Sequence, residues 1–276
     1  MGMKTYIEFM EPGADASLLA AGATLGEIIY MGELFPPAPG PYNVIDDGIV
    51  QARAATAQAA GWTHVVLDVE RLDGQPTSDL WALSDETSRQ AGIDLWIDLI
   101  ASFRAGGYTG LVSGWAQDPT WWNYVRKIND PVQFPNPAAA ETEWIYYDRW
   151  AREMRRLHHV WDFSTIAIYG KQANYVSPEP YEIALAWSKH QWEIQKRHFK
   201  HHVGFDVPIE WYINIAATDS NPLIVPPGST IPENFINNQL HMIRRDSNIV
   251  RIWNGPLSGY GAMTDITLGI IRAYML

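Results

Sequence analysis

The feature that most constrains this chain is a regular alternation of short apolar runs with longer segments of helical periodicity. The apolar runs have the length of β-strands and are Thr5–Met10, Glu27–Met31, His64–Glu70, Gly110–Ala116, Ser164–Tyr169, Ile209–Ala216 and Ile249–Trp253. The helical patterns are Asp15–Ala23, Asp47–Ala60, Asp79–Gly106 (with a break suggested by Gly92), Ala139–Val160, Pro180–His201, Pro232–Arg245 and Thr264–Met275. This repeated order of strand and helix predicts a parallel sheet.

The pattern within single strands favours a closed barrel over an open sheet. Glu210, Tyr212 and Asn214 alternate with apolar residues and therefore share one face of their strand. An open doubly wound sheet is buried on both faces and is more uniformly apolar. We therefore predict an α/β fold, a TIM-like (β/α) barrel of seven or eight parallel strands forming a single domain over residues 1–276. Arg251 would be a buried partner for Glu210 or Glu8.

Composition limits the partners and the chemistry. The 276 residues carry a net charge of −11, which argues against nucleic acid and anionic membrane surfaces as partners. The chain has no cysteine, so thiolate chemistry and disulfides are excluded. Phosphate-binding and serine-nucleophile motifs are not found, which disfavours nucleotide-dependent enzymes and serine hydrolases. The N-terminal residues show no signal peptide, and both a cytoplasmic and a secreted or virion-associated location stay open, as does the oligomeric state.

Two acidic residues close the third predicted strand. Asp68 and Glu70 are two positions apart, so they lie on one face at the carboxyl end of a parallel strand, where barrel enzymes carry their active sites. Two neighbouring carboxylates cannot both ionise freely, and one is driven to keep its proton. A protonated carboxyl beside an ionised one suits cleavage of a glycosidic bond. The alternative is that these acids cap a helix or anchor a loop.

Glu8 allows a different pairing of carboxylates. If Glu8 and Glu70 lie about 5–5.5 Å apart, a retaining double displacement is available, and about 6.5–9.5 Å would suit inversion. The alternative is an ion pair between Glu8 and Arg251.

Histidines do not add a metal site: His198 and His202 have helical spacing, but they lie in a basic helix end, and neither a metal nor a cofactor is expected.

The strand-end D-x-E motif resembles that of glycoside hydrolases which use the acetamido group of their own substrate, such as hyaluronidases and family-18 chitinases. Four other segments are similar to the hyaluronidase layout; they are Ile28–Pro37, Gly114–Trp115, Tyr212 on the sixth strand and Ile252–Gly255 on the last. Those enzymes also have a seven-stranded barrel, which matches the number of predicted strands. Lysozyme-like barrels with a D-x-E pair are an alternative relative.

The resemblance implies a role for each matching residue. Glu70 would be the general acid, and Asp68 would orient the acetamide of the substrate or serve as the second carboxylate. Tyr212 would donate a hydrogen bond near that group, and Trp115 and Trp253 would form the platform for the sugar. The other residues predicted to contact the carbohydrate are Tyr30, Trp121, Tyr169 and Asn214.

Two other functions stay open at this point. A (β/α) barrel can lose its activity and serve as a carbohydrate-binding, surface or virion structural protein, because fold does not determine function. A barrel lyase or aldolase would need a buried lysine at a strand end, for which Lys171 is the nearest candidate. The glycosidase hypothesis is favoured because it uses the acidic pair and the aromatic residues together.

Overall fold

The computed structural model describes residues 3–8, 17–36, 44–69, 86–115, 152–153, 155–167, 208–214, 233–246, 249–253 and 265–276. The strands are Lys4–Glu8 (β1), Thr24–Leu25 (β2), Glu27–Tyr30 (β3), His64–Asp68 (β4), Leu111–Gly114 (β5), Ser164–Ala167 (β6), Ile209–Asn214 (β7) and Ile249–Trp253 (β8). The helices are Met31–Leu34 (α1), Asp47–Ala59 (α2), Glu86–Ala105 (α3), Glu233–Asp246 (α4) and Asp265–Met275 (α5). Residues 17–20 and 155–158 are also helical.

The strands form two parallel sheets. One sheet has the order β2-β1-β8-β7-β6 and the other the order β3-β4-β5. Every strand pair in them is parallel, which confirms the α/β prediction. All seven predicted strands are present, and β2 is an addition. The sequence did not indicate β2 because it has only two residues, both exposed, and no apolar run.

Some predicted boundaries differ from those of the structure. The break suggested at Gly92 is wrong, because α3 continues from Glu86 to Ala105. Glycine costs about 1 kcal/mol in a helix, but burial of a neighbouring apolar face, including Ile93 and Trp96, offsets that cost. Strand β4 ends at Asp68, two residues before its predicted end. The helix predicted at Pro180–His201 lies outside the described residues.

Helices α2 and α3 cover the outer face of β3, β4 and β5. Helix α2 begins after Asp46, whose carboxylate accepts hydrogen bonds from the backbone N–H groups of Gly48 (2.9 Å) and Ile49 (3.2 Å). The outer core between these elements contains Val65 and Leu67 of β4. A second outer core packs β7 and β8 against the C-terminal helices. Among the described helices, none is long and apolar enough to cross a membrane.

The opposite faces of the two sheets meet in a third, smaller apolar cluster. It joins Ile28 of β3 and Val66 of β4 to Phe163, beside β6, and Tyr212 of β7. These residues come from both sheets, so the sheets pack against each other. We call the faces that meet here the inner faces, and the faces covered by helices the outer faces.

Side chains connect β5 and β6 where the two sheets adjoin. Ser113 Oγ donates to the carbonyl of Phe163 (2.5 Å), and Thr165 Oγ1 donates to the carbonyl of Gly114 (2.7 Å). The carboxylate of Asp162 accepts from the backbone N–H of Val112 at 2.7 Å. These buried or partly buried bonds hold the edge of one sheet to the edge of the other.

Candidate functional site

Asp68 lies on the inner face at the carboxyl end of β4. Side chains alternate along a strand, and Val65 and Leu67 belong to the outer core whereas Val66 belongs to the inner cluster. Asp68 is two residues after Val66 and shares its face. The side chain is buried, with 6% of the residue exposed. The sequence prediction for the face of this acid therefore agrees with the structure.

Aromatic residues flank Asp68 on the neighbouring strands. Tyr30 of β3 is the register partner of Asp68. Its backbone N–H donates to Glu33 Oε1 (3.2 Å), which fixes the chain where α1 begins. On the other side, the backbone N–H of Trp115 donates to the carbonyl of Leu67 at 2.9 Å. Tyr30 is exposed and Trp115 is half-buried, so both reach the surface near the end of β4.

Trp115 and Tyr212 are in direct contact. Their ring centroids are 4.4 Å apart and the ring planes are inclined at 63°. Tyr212 is fully buried, and the guanidinium carbon of Arg251 lies 5.5 Å from the centroid of its ring. Both aromatic residues belong to the inner cluster that includes Val66. The structure thus brings two of the predicted site residues together on the face that carries Asp68.

A buried group of ionisable residues lies deeper on the inner face. Glu210 accepts a hydrogen bond from Nε of Arg251, and its other carboxylate oxygen faces Nε2 of His64. At most 1% of each residue is exposed. We call these three residues the charge cluster. The predicted pair of Arg251 with Glu210 is confirmed.

The sequence prediction did not include His64 in this group. The alternation of side chains along β4 could have indicated His64, because it places His64 on the same face as Asp68. Its ring also packs against Phe163, with centroids 4.0 Å apart. His64 is the first residue of β4 and Asp68 is the last, so the charge cluster lies toward the amino end of this strand.

The charges of the cluster determine its protonation. Burial by itself raises the pKa of Glu210, but the nearby charge of Arg251, with a further contribution from His64, outweighs burial and lowers this pKa to about 2. Burial lowers the pKa of His64, against the opposing attraction of Glu210. Glu210 is therefore ionised at neutral pH and His64 is neutral, so Arg251 supplies the balancing charge.

Gly26, between β2 and β3, makes room for this arginine. A Cβ atom at position 26 would lie 2.7 Å from the guanidinium carbon of Arg251. Any other residue would have to displace a buried and hydrogen-bonded group. The guanidinium of Arg251 therefore passes close to the backbone that links the two sheets.

Another perturbed carboxyl lies at the amino end of β3. Burial raises the pKa of Glu27 to about 7, against the opposing charge of Arg53. The Arg53 guanidinium lies 3.9 Å from Glu27 and 2.9 Å from Glu33. The sequence analysis did not single out Glu27. It is at the opposite end of the strand from Tyr30 and is separate from the candidate site.

The remaining predicted site residues fall into two groups. The backbone register sets Trp253 beside both Glu8 and Asn214, so the carboxyl ends of β1, β7 and β8 are level. Three residues lie outside the described part of the chain; they are Glu70, Trp121 and Tyr169. Their roles stay predictions, as does the role of Lys171.

The described histidines do not form a metal centre. His158 is buried with its ring edge-on to Trp161 at 5.7 Å, whereas the adjacent His159 is exposed. Within the described ranges, no group of three or more histidine, aspartate or glutamate side chains could hold a metal ion. His198 and His202 lie outside those ranges.

Comparison with known proteins shows which solved structures have a fold similar to that of this chain. No family model and no curated protein sequence matches the chain. A crystal structure of bee venom hyaluronidase is 12% identical, with a TM-score of 0.56 over 92% of this chain and 91% of that chain. A second crystal structure of bee venom hyaluronidase, in complex with a hyaluronic acid tetramer, has the same sequence identity and TM-score. That comparison covers 96% of this chain and 92% of the hyaluronidase chain. A GH113 β-1,4-mannanase is 13% identical, with a TM-score of 0.41 over 99% and 98%.

The chain thus has a fold that is distantly similar to that of bee venom hyaluronidase. The hyaluronidase-like arrangement inferred from the residues is confirmed at the level of the fold.

Proposed function

We propose that the protein is a glycoside hydrolase that cleaves a polysaccharide or oligosaccharide. One observation carries this proposal: Asp68 lies at the carboxyl end of an inner-face strand, flanked by Tyr30 and by the Trp115–Tyr212 pair. A carboxylate beside aromatic rings can act on a sugar ring that stacks against those rings. The similarity of the fold to that of bee venom hyaluronidase supports this proposal.

The proposed mechanism uses two carboxyl groups. Glu70, two residues beyond Asp68, would protonate the oxygen of the leaving group. Asp68 would orient an acetamido group of the substrate for attack on the anomeric carbon, or serve as the second carboxylate. Tyr212 would donate a hydrogen bond in the same region, and Trp115 would support the sugar. Trp253, Asn214 and Glu8 are proposed to line the same end, since their backbones are level with one another at the carboxyl ends of β8, β7 and β1.

We also propose that the two sheets close into one barrel and that the whole chain is a single domain. Strands β2 and β3 belong to different sheets but are separated only by Gly26. Side-chain hydrogen bonds connect β5 and β6 at the other junction. If β2 and β3 count as one strand, the order β1, β2–β3, β4, β5, β6, β7, β8 forms a ring of seven strands.

The first substrate to test is a polymer that contains N-acetylhexosamine. An acetamido group gives Asp68 a partner, and the bee venom enzyme was crystallised with a hyaluronic acid tetramer. Hyaluronan, chitin and peptidoglycan provide this group, and neutral polysaccharides provide the comparison without it. Release of reducing ends would identify the substrate.

The decisive variant is Glu70→Gln, assayed on the polymer that the wild type cleaves. Loss of a general acid should reduce kcat by about 10²–10⁴-fold, because positioned proton transfer contributes this much to rate. Glu86→Gln, at the exposed start of α3, is the matched control and should keep full activity. A folded Glu70→Gln protein with unchanged turnover would refute the assignment. Saturable binding without cleavage by the wild type would instead favour the carbohydrate-binding module.

A further inference from the structure

We propose that the ion pair of Arg251 and Glu210 positions Tyr212 and, through Tyr212, sets the orientation of Trp115. This inference rests on the proposed function, since it assigns a role to a pair of residues beneath the proposed carbohydrate site. Arg251 and Glu210 are positioning residues in this account and do not touch the substrate.

The contact between Arg251 and Tyr212 follows from the strand register. Arg251 of β8 is the register partner of Tyr212 of β7. Its guanidinium lies 5.5 Å from the centre of the tyrosine ring, within the range of a cation–π interaction. Both residues are fully buried, so water does not weaken the attraction. The positive charge thus favours one placement of the ring.

The guanidinium itself is held from several directions. Glu210, on the same strand as Tyr212, accepts a hydrogen bond from its Nε atom. The backbone at Gly26 lies close to the terminal nitrogens of the guanidinium, where a Cβ atom would clash. His64 faces the second oxygen of Glu210, which limits rotation of that carboxylate. The Arg251 side chain therefore has little conformational freedom. Because the Tyr212 ring packs against it, the position of that ring is restricted as well.

The restriction extends to Trp115 through ring contact. The centroids of Trp115 and Tyr212 are 4.4 Å apart, so a shift of the tyrosine ring must move or loosen the indole. Trp115 is half-buried and is the member of this series that reaches the surface beside the end of β4. The ion pair of Arg251 and Glu210 in the interior can in this way determine the orientation of Trp115 at the surface, where the sugar is proposed to bind.

The first test reads the tyrosine directly and needs no substrate. The protein is labelled with 3-fluorotyrosine, so that each of its 13 tyrosines contributes a ¹⁹F NMR signal. Tyr212→Phe assigns the signal. We expect Arg251→Met and Glu210→Gln to shift or broaden the Tyr212 signal, and Arg251→Lys, which keeps the positive charge, to restore part of it. An unchanged Tyr212 signal in folded Glu210→Gln would overturn the proposal, even if Arg251→Met does not fold.

Arg89→Met is the matched control. Arg89 is also a buried arginine with a carboxylate partner, and it binds Glu153 through Nε (2.6 Å) and Nη2 (3.0 Å). It belongs to α3, on the outer layer, so its loss should destabilise the protein without moving the Tyr212 signal. A similar shift in Arg89→Met would mean that the NMR change reports lost stability, and the positioning role would be rejected.

The second test uses the polymer identified by the reducing-end assay. A misplaced platform should reduce kcat/KM by about ten- to hundredfold in Arg251→Met, with Arg251→Lys between it and the wild type. Arg89→Met should keep the wild-type value. Full activity of Arg251→Met would overturn the inference. If the wild type cleaves none of the polymers, the proposed function fails, but the NMR experiment still decides whether Arg251 positions Tyr212.

Discussion

Asp68 and Glu210 are carboxylates with very different surroundings. Glu210 is fully buried between Arg251 and His64, and its pKa is lowered to about 2 because the arginine charge outweighs the effect of burial. Asp68 ends its strand with aromatic residues on the neighbouring strands. We infer that Glu210 is a fixed structural charge, whereas Asp68 is a buried carboxylate at a strand end, next to aromatic residues that reach the surface.

Gly26 is a residue whose importance depends on the absence of a side chain. In Gly26→Ala, the new methyl group would meet the guanidinium of Arg251 and disturb a buried ion pair. We expect a loss of about 1–3 kcal/mol in the free energy of unfolding, as for other overpacked interiors. Urea denaturation at neutral pH measures this value.

Gly269→Ala is the control for that substitution. Gly269 is exposed within α5, and a methyl group added there would meet no neighbouring atom within 4 Å, so alanine should leave stability unchanged or raise it by up to about 1 kcal/mol. Equal stability of Gly26→Ala and the wild type would contradict the tight packing of Arg251 against this backbone.

At the scale of elements, Asp162 connects α3 to the junction of the two sheets. Its carboxylate pairs with Arg104 of α3 and accepts from the N–H of Val112 in β5 at 2.7 Å. Arg104 also donates to the carbonyl of Gly110 at 2.6 Å. One carboxylate therefore fixes the start of β5 against the helix before it and the segment leading into β6.

We expect Asp162→Ala to lower the free energy of unfolding by about 1.5–3 kcal/mol, since it removes hydrogen bonds that involve charged groups and leaves Val112 N–H without this acceptor. Asp94→Ala removes an exposed ion pair with Arg156 (2.6 Å) and should cost less than about 1 kcal/mol. Thermal or urea unfolding of both variants gives the comparison. Equal losses of unfolding free energy in the two variants would show that the Asp162 contacts stabilise the protein no more than an exposed ion pair does.

At the scale of the whole molecule, the charge cluster joins the two sheets. Glu210 and Arg251 belong to one sheet and His64 to the other. The pKa values of both Glu210 and His64 are lower in the folded protein than the ordinary values of 4.5 and 6.5. The unfolded chain therefore binds more protons, and this part of the stability is lost as pH falls. Glu27, with its pKa raised to about 7, has the opposite effect between pH 4.5 and 7.

The contribution of the Glu210 carboxylate to stability is lost below pH 4.5, between its ordinary pKa and its lowered pKa in the folded protein. Glu210→Gln should be less stable than the wild type by about 3–5 kcal/mol at pH 7, because it leaves the Arg251 charge buried without its carboxylate. This difference should shrink as pH falls from 4.5 toward 2, where wild-type Glu210 takes up a proton. Urea unfolding at pH 7, 4.5 and 3 measures the difference. A gap that stays constant with pH would contradict the lowered pKa of Glu210, and Glu86→Gln should show almost no gap at any of these values.

Sequence periodicity predicted much of this fold because strand burial is a local property. The alternation in β7 identified the face of Glu210 and Tyr212, and the apolar run before Asp68 identified β4. The roles of Gly26 and His64 were missed because they depend on distances across the inner face. Those distances arise only when strands that are far apart in sequence are brought together.

The depth of the charge cluster has a consequence for protein engineering. His64 and Asp68 are four residues apart on one extended strand, which corresponds to about 13 Å. His64, which is neutral at pH 7, therefore adds little charge near Asp68, whereas Arg251 is connected to that end through Tyr212 and Trp115. Residues at the carboxyl end of β4 can accordingly be exchanged to suit a different sugar without altering His64, provided that Arg251 and Glu210 are kept to hold Tyr212 in place.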